Sequence, residues 1–517
     1  MRLQYLSLAA MSAVTATTAS AAESVDTTDT RPDIILFMVD DMGWQDTSLP
    51  FASDTTAYNR MFSTPNMERL ARQGMKFTQA YACAISSPTR CSLITGANNA
   101  RHRVTNWTLQ RDKSTDDSIP GVILPDWNWN GVAQSGGVDH TYLGQSFVDL
   151  LRQSGYHTIH VGKAHFGAIN TPGENPAHWG FETNIAGHAG GGLATYLSEN
   201  NFGHRPDGTA YSLLAIPGLE KYWGTGIFAT EALTREALKE IDRAVAYEQP
   251  YFLYMSHYAV HIPIDRDMRF YDDYIARGYT PKEAAYASLV EGMDKSLGDI
   301  LDKVEQSGRA DRTIVIFMSD NGGLASQPEW RDGEIYTQNS PLRSGKGSLL
   351  EGGIREPMIV KWPGVTEPGS ECGDYLMIED FYPTILEMAG VEFTPEEDKP
   401  IDGFSFVNML KGEPMADPER EIVWNFPNIW GNEGPGINLN TALRRGSYKL
   451  IYNYVTGDKE LYDIPADISE TKNLAAELPE VTAFMSQRLG ERLREMNAQR
   501  PVDATTGQPF PWPDEKR

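Results

Sequence analysis

The amino-acid sequence predicts an α/β sandwich: a large, mostly parallel central sheet flanked by helices, followed by a smaller antiparallel sheet with one helix. Three observations predict it. Residues 33–39, Asp-Ile-Ile-Leu-Phe-Met-Val, form an unbroken apolar run rich in branched side chains, as a strand covered on both faces requires. Strand, loop and helix signals then alternate, the order that builds a parallel sheet. After about Asp417 the pattern changes to short alternating segments.

Thr64-Pro65 reads as the cap and first turn of a helix that carries Met67, Leu70 and Ala71 at helical spacing and stops at Gly74. A helix is expected from about Gln145 to Gln153, a strand from Tyr156 to Val161 and another from Tyr251 to Ser256. A long helix from Pro281 to Gln306 places Leu289, Met293, Leu297, Ile300 and Val304 on one face, and a strand from Thr313 to Met318 follows. Beyond Asp417, alternating segments at Ile422 to Phe426, Leu443 to Asn453 and Glu460 to Asp463 are closed by an amphipathic helix from Pro479 to Ala498. Residues 107–137 and the glycine-rich run 187–192 fit neither pattern. Long loops of that composition are either walls of a binding site or plain surface insertions.

The 517 residues, 40% apolar, suffice for a deep core and two domains. Asp plus Glu number 70 against 45 Lys plus Arg, a net charge of -25, so nucleic-acid and anionic-membrane partners are not expected. An anionic substrate would need Arg, Lys or a metal to reverse the sign locally. Met1-Arg2, the apolar run Leu6 to Ala16 and the small residues up to Ala21 have the form of a secretory leader, residues 1–21, with an apolar run short of the roughly 20 residues that span a bilayer. A periplasmic or secreted chain is therefore expected. Cys83, Cys91 and Cys372 permit at most one disulfide.

In open α/β sheets ligands sit outside the carboxyl ends of the strands. Asp40 and Asp41 follow the first strand, Lys163 and His165 the second, His257 and His261 the third, Asp320 and Asn321 the fourth. Alone, an Asp-Asp or Asp-Asn pair at a strand end reads as a helix cap or turn; together the four places read as a site. Asp40, Asp41, Asp320 and Asn321 offer hard oxygen ligands, which suit one calcium or magnesium ion better than zinc. A two-zinc centre would need histidines interleaved with the aspartates. Ser86-Ser-Pro-Thr-Arg90-Cys-Ser-Leu-Ile-Thr95-Gly96 is a turn feeding a short helix whose N-terminus, with Arg90 one turn in, favours anions.

That last segment, Ser-x-Pro-Thr-Arg followed by Thr-Gly, resembles the maturation signature of the formylglycine-dependent sulfatases, in its serine form. Asp40-Asp41, Lys163 with His165, His261 in His-Ile-Pro, Asp320-Asn321 and Lys346 in Gly345-Lys-Gly-Ser fall in the family's order, and Leu461-Tyr-Asp-Ile with Asn473-Leu-Ala is similar to its C-terminal subdomain. The resemblance implies an alkaline-phosphatase-like fold, with a catalytic domain over 22–416 and a C-terminal subdomain over 417–517. It implies that a serine-competent maturing enzyme oxidises Ser86 to formylglycine (3-oxoalanine) before export. Neither Cys83 nor Cys91 can replace it, because neither has proline two residues on.

Further roles follow from the same resemblance. Asp40, Asp41, Asp320, Asn321 and Ser86 hold one Ca²⁺, with Mg²⁺ as the alternative. Lys163 and Lys346 bind sulfate oxygens, where a charge pair at about 4 Å is worth roughly 4 kcal/mol at an effective dielectric near 20. His261 protonates the leaving oxygen, His165 takes the proton that frees the sulfate, and Arg90 braces the nucleophile and the carboxylates. By chain position, His188, Arg343 and Trp107 are candidates for the organic part of the substrate, and His257 for a structural or substrate-edge role, with direct chemistry as its alternative. The expected substrate is a sulfated carbohydrate such as carrageenan or ulvan. Phosphoester or phosphonate hydrolysis and silent glycan binding are the competing readings.

Overall fold

The computed structural model describes residues 29–324, 339–431 and 434–516; the expected leader lies outside the described residues. Strand β1 (Asp33–Val39) is followed by helix α1 (Pro65–Gln73), β2 (Met75–Tyr81), α2 (Ser86–Thr95), α3 (Phe147–Gln153), β3 (His157–Gly162) and β4 (Thr183–Ile185). Then come α4 (Ala229–Ala246), β5 (Tyr251–Ser256), α5 (Pro281–Gln306), β6 (Thr313–Ser319), β7 (Arg355–Lys361), β8 (Ser370–Met377) and α6 (Phe381–Met388). The eight strands form one sheet in the order β8-β2-β7-β6-β1-β5-β3-β4. The run β6-β1-β5-β3-β4 is parallel throughout, whereas β7 lies antiparallel to both β6 and β2. The sheet is therefore mixed, and its parallel part opens five carboxyl ends on one edge.

Alternation along β1 shows why the run is continuous. Ile34, Leu36 and Met38 join the core beneath α2, α3 and α6, while Ile35, Phe37 and Val39 join the core beneath α1, α4 and α5. Each face is sealed, so residues 34–39 are all apolar, and the one polar residue of β1, Asp33, stands at its start paired with Arg309. β2 and β8 escape a reading by apolar runs because Lys76, Thr78, Gln79, Glu371 and Asp374 interrupt them near the sheet's edge.

Thr64 stands at the N-cap of α1 but does not cap it. Its hydroxyl bonds Thr47 and Ser48, and the Asp294 carboxylate on α5 accepts from the Asn66 and Met67 amides at 3.0 and 2.8 Å instead. Helix α3 starts two residues later than expected, capped by the Ser146 hydroxyl.

The C-terminal sheet comprises β9 (Glu421–Phe426), β10 (Asn440–Arg445), β11 (Tyr448–Asn453) and β12 (Lys459–Asp463), all antiparallel. The segment read as one strand from Leu443 to Asn453 is two, turning at Gly446-Ser447. Helix α7 (Pro479–Glu495) buries Met485, Leu489 and Leu493 against Val423, Leu443, Leu450 and Leu461. Buried ion pairs join this sheet to the large one: Lys449 lies 2.7 Å from both Glu351 and Glu470, all three inaccessible to solvent. The cysteines are free, and no helix among the described residues is long and apolar enough to cross a membrane.

Candidate active site

Strands β1, β3 and β6 deliver Asp40-Asp41, Lys163 and Asp320-Asn321 to one point, and α2 presents Ser86 to it from its first turn. The Ser86 hydroxyl lies 3.3 Å from Asp40 Oδ1 and 3.1 Å from Asn321 Oδ1, and accepts from Lys163 Nζ at 2.9 Å. Lys163 Nζ also donates to Asp40 Oδ2 at 2.7 Å. Asn321 Nδ2 donates to Asp41 Oδ1 at 2.7 Å, which turns the amide oxygen toward Ser86. Lys346 Nζ holds both Asp41 oxygens, at 2.6 and 2.8 Å. All of these side chains are buried.

Arg90 is fully enclosed and committed to the framework. Its Nε and Nη2 donate to Asp320 Oδ2 at 2.9 and 2.7 Å, and its Nη1 reaches the Lys163 carbonyl, Tyr254 and Ser256. Burial alone would raise the Asp320 carboxyl, yet Arg90, Lys163 and Lys346 hold it below the usual carboxylate range. Asp41 is likewise lowered: burial opposes ionisation, and Lys346 and His261 more than offset it. Asp40 goes the other way, pushed up to about 8 by burial and by Asp320 beside it.

His165 Nε2 lies 2.9 Å from the Thr108 carbonyl, which requires a proton there and leaves Nδ1 as the basic nitrogen, 3.3 Å from Ser87 Oγ. His261 Nδ1 donates to the Ile262 carbonyl at 2.7 Å, so Nε2 faces the site, 3.7 Å from Asp41. Burial, then Lys346, push the His261 imidazolium down to about 4, so this ring is held neutral before substrate arrives.

The glycine-rich run explains itself at this point. A Cβ on Gly191 would stand 2.2 Å from His165 Cε1, and one on Gly192 would stand 2.9 Å from His261. The backbone passes against both rings where no side chain fits.

Asp40, Asp41 and His261 each offer a ligand atom within 4.8 Å of one another. The donor set suits a hard cation. Three carboxylates face three cationic side chains, and burial together with Asp320 pushes the Asp40 carboxyl up to about 8, a penalty on its ionised form that a divalent ion would offset. The two further positive charges would match a singly charged ester head and an ionised oxygen at position 86.

A cavity of about 350 Å³ opens over Ser86, lined by Asp41, His165, His261 and Lys346 at its base and by Trp107, Asp117, Leu214 and Trp430 higher up. Of the four residues named for the organic part of the substrate or its edge, Trp107 alone lines it. His257 is fully buried, its ring tilted against Phe37 and bonded to Ser296 at 2.8 Å, in keeping with its structural reading. His188 packs beside Tyr258, and its carbonyl accepts from the His165 amide at 3.3 Å. Arg343 donates to the Glu470 carbonyl outside the cavity. Asp117 falls in the 107–137 loop read as a possible site wall, whereas Leu214 and Trp430 were not legible as site residues, since only long-range folding brings them to the cavity.

Architecture and pocket together define a hydrolase of the alkaline-phosphatase-like α/β class. A model of the sulfatase family matches residues 32–391, and the chain belongs to that family, the sulfuric ester hydrolases. A second model, for the C-terminal region of N-sulphoglucosamine sulphohydrolase, matches residues 345–499. A sulfatase of Formosa agariphila is 30% identical over 514 residues, spanning 90% of this chain and 88% of its own. Human N-acetylgalactosamine-6-sulfatase is 29% identical over 436 residues, 79% of this chain and 74% of its own. The crystal structure of Ps i-CgsB superposes with a TM-score of 0.70 at 25% identity, covering 90% of this chain and 93% of that one. Its complex with k-i-k-neocarrahexaose has the same fold, with a TM-score of 0.69 at 24% identity, covering 93% and 95%.

Proposed function

We propose that this sulfatase is exported to the periplasm or medium and desulfates a sulfated carbohydrate, such as a carrageenan, an ulvan or their oligosaccharides, using formylglycine made from Ser86 by a serine-competent maturing enzyme. The observation that carries this reading is the environment of Ser86 Oγ, with Asp40 Oδ1, Asn321 Oδ1 and Lys163 Nζ all within 3.3 Å. Asp40, Asp41, Asp320, Asn321 and the residue at 86 would hold one Ca²⁺, which supplies Lewis-acid charge at the ester oxygens and lowers the pKa of the attacking hydroxyl. The hydrated aldehyde supplies that hydroxyl.

The chain's own residues do the rest. Lys163 and Lys346 neutralise and orient the sulfate oxygens. His261 Nε2 faces the leaving oxygen: the ring takes up a proton from solvent when the anionic ester binds beside it, keeps Nδ1–H on the Ile262 carbonyl, and passes the Nε2 proton to that oxygen. His165 Nδ1 accepts the proton whose loss releases sulfate. Arg90 acts through Asp320 and the Lys163 backbone, as a positioning residue. The acidic surface suits a saline setting, where salt screens its repulsion of an anionic polymer.

The test is mass spectrometry of the Ser86 peptide from protein matured in a serine-competent bacterium, alongside sulfate release from sulfated oligosaccharides. A peptide lighter by two hydrogens together with release of sulfate is expected. Desulfation by protein whose Ser86 is wholly unmodified would overturn the reading.

A further inference from the structure

The base and the mouth of the cavity carry opposite charge. Lys346 lies at the base; at the mouth stands Asp117, an exposed carboxylate. This acidic residue is held in place. The Asp117 amide donates to the Ile429 carbonyl at 3.1 Å, and its Oδ2 lies against the Gly431 Cα, where a Cβ would stand 2.4 Å away. Its neighbour Asp116 is the anchor, accepting from Asn106 at 2.6 Å, Trp127 Nε1 at 2.7 Å and Asn428 at 3.1 Å. The loop around Asp117 is thereby stitched to the C-terminal segment bearing Trp430.

Trp430 forms the adjoining wall. Its ring packs on the Gly347 backbone, where a Cβ would stand 2.3 Å from Cε3, and Lys346 Nζ lies 5.7 Å from the ring centroid. A ring bound with its ester at Lys346 therefore has an aromatic surface beside it and Asp117 beyond. Sugar rings pair their C–H faces with such indoles, and their hydroxyls donate well to a carboxylate.

We propose that Asp117, with Trp430 as platform, selects the alcohol part of the ester: it accepts a hydroxyl of a sugar unit carrying a single sulfate and rejects one bearing a second anionic group, sulfate or uronate, on that side. This rests on the reading of a carbohydrate sulfatase given above and adds its charge preference. A donor hydroxyl gains a charged acceptor at Asp117, whereas a second anion meets like charge at the mouth.

The test measures kcat/KM for wild type, Asp117→Asn and Asp117→Lys, each with its formylglycine content determined, on a panel of galactose, fucose and N-acetylhexosamine sulfates and carrageenan oligosaccharides. Each substrate is paired with its counterpart bearing one more sulfate. The wild type should prefer the singly sulfated member. Asp117→Asn should lower that preference by about tenfold, and Asp117→Lys should lower it further, because the effect follows charge. Because Asp117 is exposed, neither change threatens folding. Unaltered preference across the three proteins, or equal loss on both members of every pair, would overturn the proposal. If modified wild type releases no sulfate from any member, the carbohydrate reading fails and this inference falls with it, a result distinct from turnover with unaltered preference.

Discussion

Gly191 lies so close to His165 that a methyl group on its Cα would stand 2.2 Å from the ring's Cε1. The ring cannot retreat, because its Nε2 is tied to the Thr108 carbonyl at 2.9 Å. Gly191→Ala should therefore break that bond, displace His165 and lower kcat by about a hundredfold, the scale of a lost general base, with an overpacking cost to stability of about 1–3 kcal/mol. Steady-state kinetics on matured protein checks this; wild-type kcat in the variant would show that the ring has room.

Removing the cation should destabilise the protein as well as silence it. Asp40, Asp41 and Asp320 converge in a buried space, and Asp40 is already pushed up to about 8 by burial and by Asp320. A ligand bound by the native state alone adds about 2.7 kcal/mol at a hundredfold excess over Kd. Chelation should lower the thermal midpoint by several degrees, and added Ca²⁺ should restore both midpoint and activity. A midpoint indifferent to chelator and to Ca²⁺ would argue against the site.

Lys449 is shared by two buried carboxylates, Glu351 and Glu470, at 2.7 Å each. Lys449→Met takes the cation from Glu470 and leaves Glu351 with Arg355, and breaking a buried pair in this way costs about 3–5 kcal/mol. Denaturant unfolding should report a loss of that size. The double variant Lys449→Met/Glu470→Gln should recover part of it, since the stranded charge is gone.

Helix α1 should weaken when its cap on a distant helix is removed. Asp294→Ala strands the Asn66 and Met67 amides, at about 1–3 kcal/mol for buried donors left unpaired. Thr64→Val, by contrast, should spare the helix amides and disturb only the contacts to Thr47 and Ser48. Hydrogen exchange at Asn66 and Met67 in the two variants separates the effects.

The parallel part of the fold was legible because burial on both faces writes itself as a continuous apolar run, as in Ile34 to Val39, and because aspartates at strand ends stand out against it. The antiparallel course of β7 was not, since strand direction depends on how the chain returns after Lys346. The same distinction holds at the site. Asp40, Lys163 and Asp320 sit at strand ends, positions that local pattern reveals, whereas the link of Asp117 to Ile429 joins residues 312 apart. The glycine run was visible as composition, but its purpose requires His165 and His261 to be laid against it.

The strands of the large sheet carry Asp40, Lys163 and Asp320, while the indole of Trp430 is lent by a loop of the small one. Asp117 and the indole of Trp430 thus reach the mouth from different parts of the chain, so grafting residues 417–517 from a homologue that cleaves another ester should carry over its sugar preference only when the residue at 117 is exchanged with it.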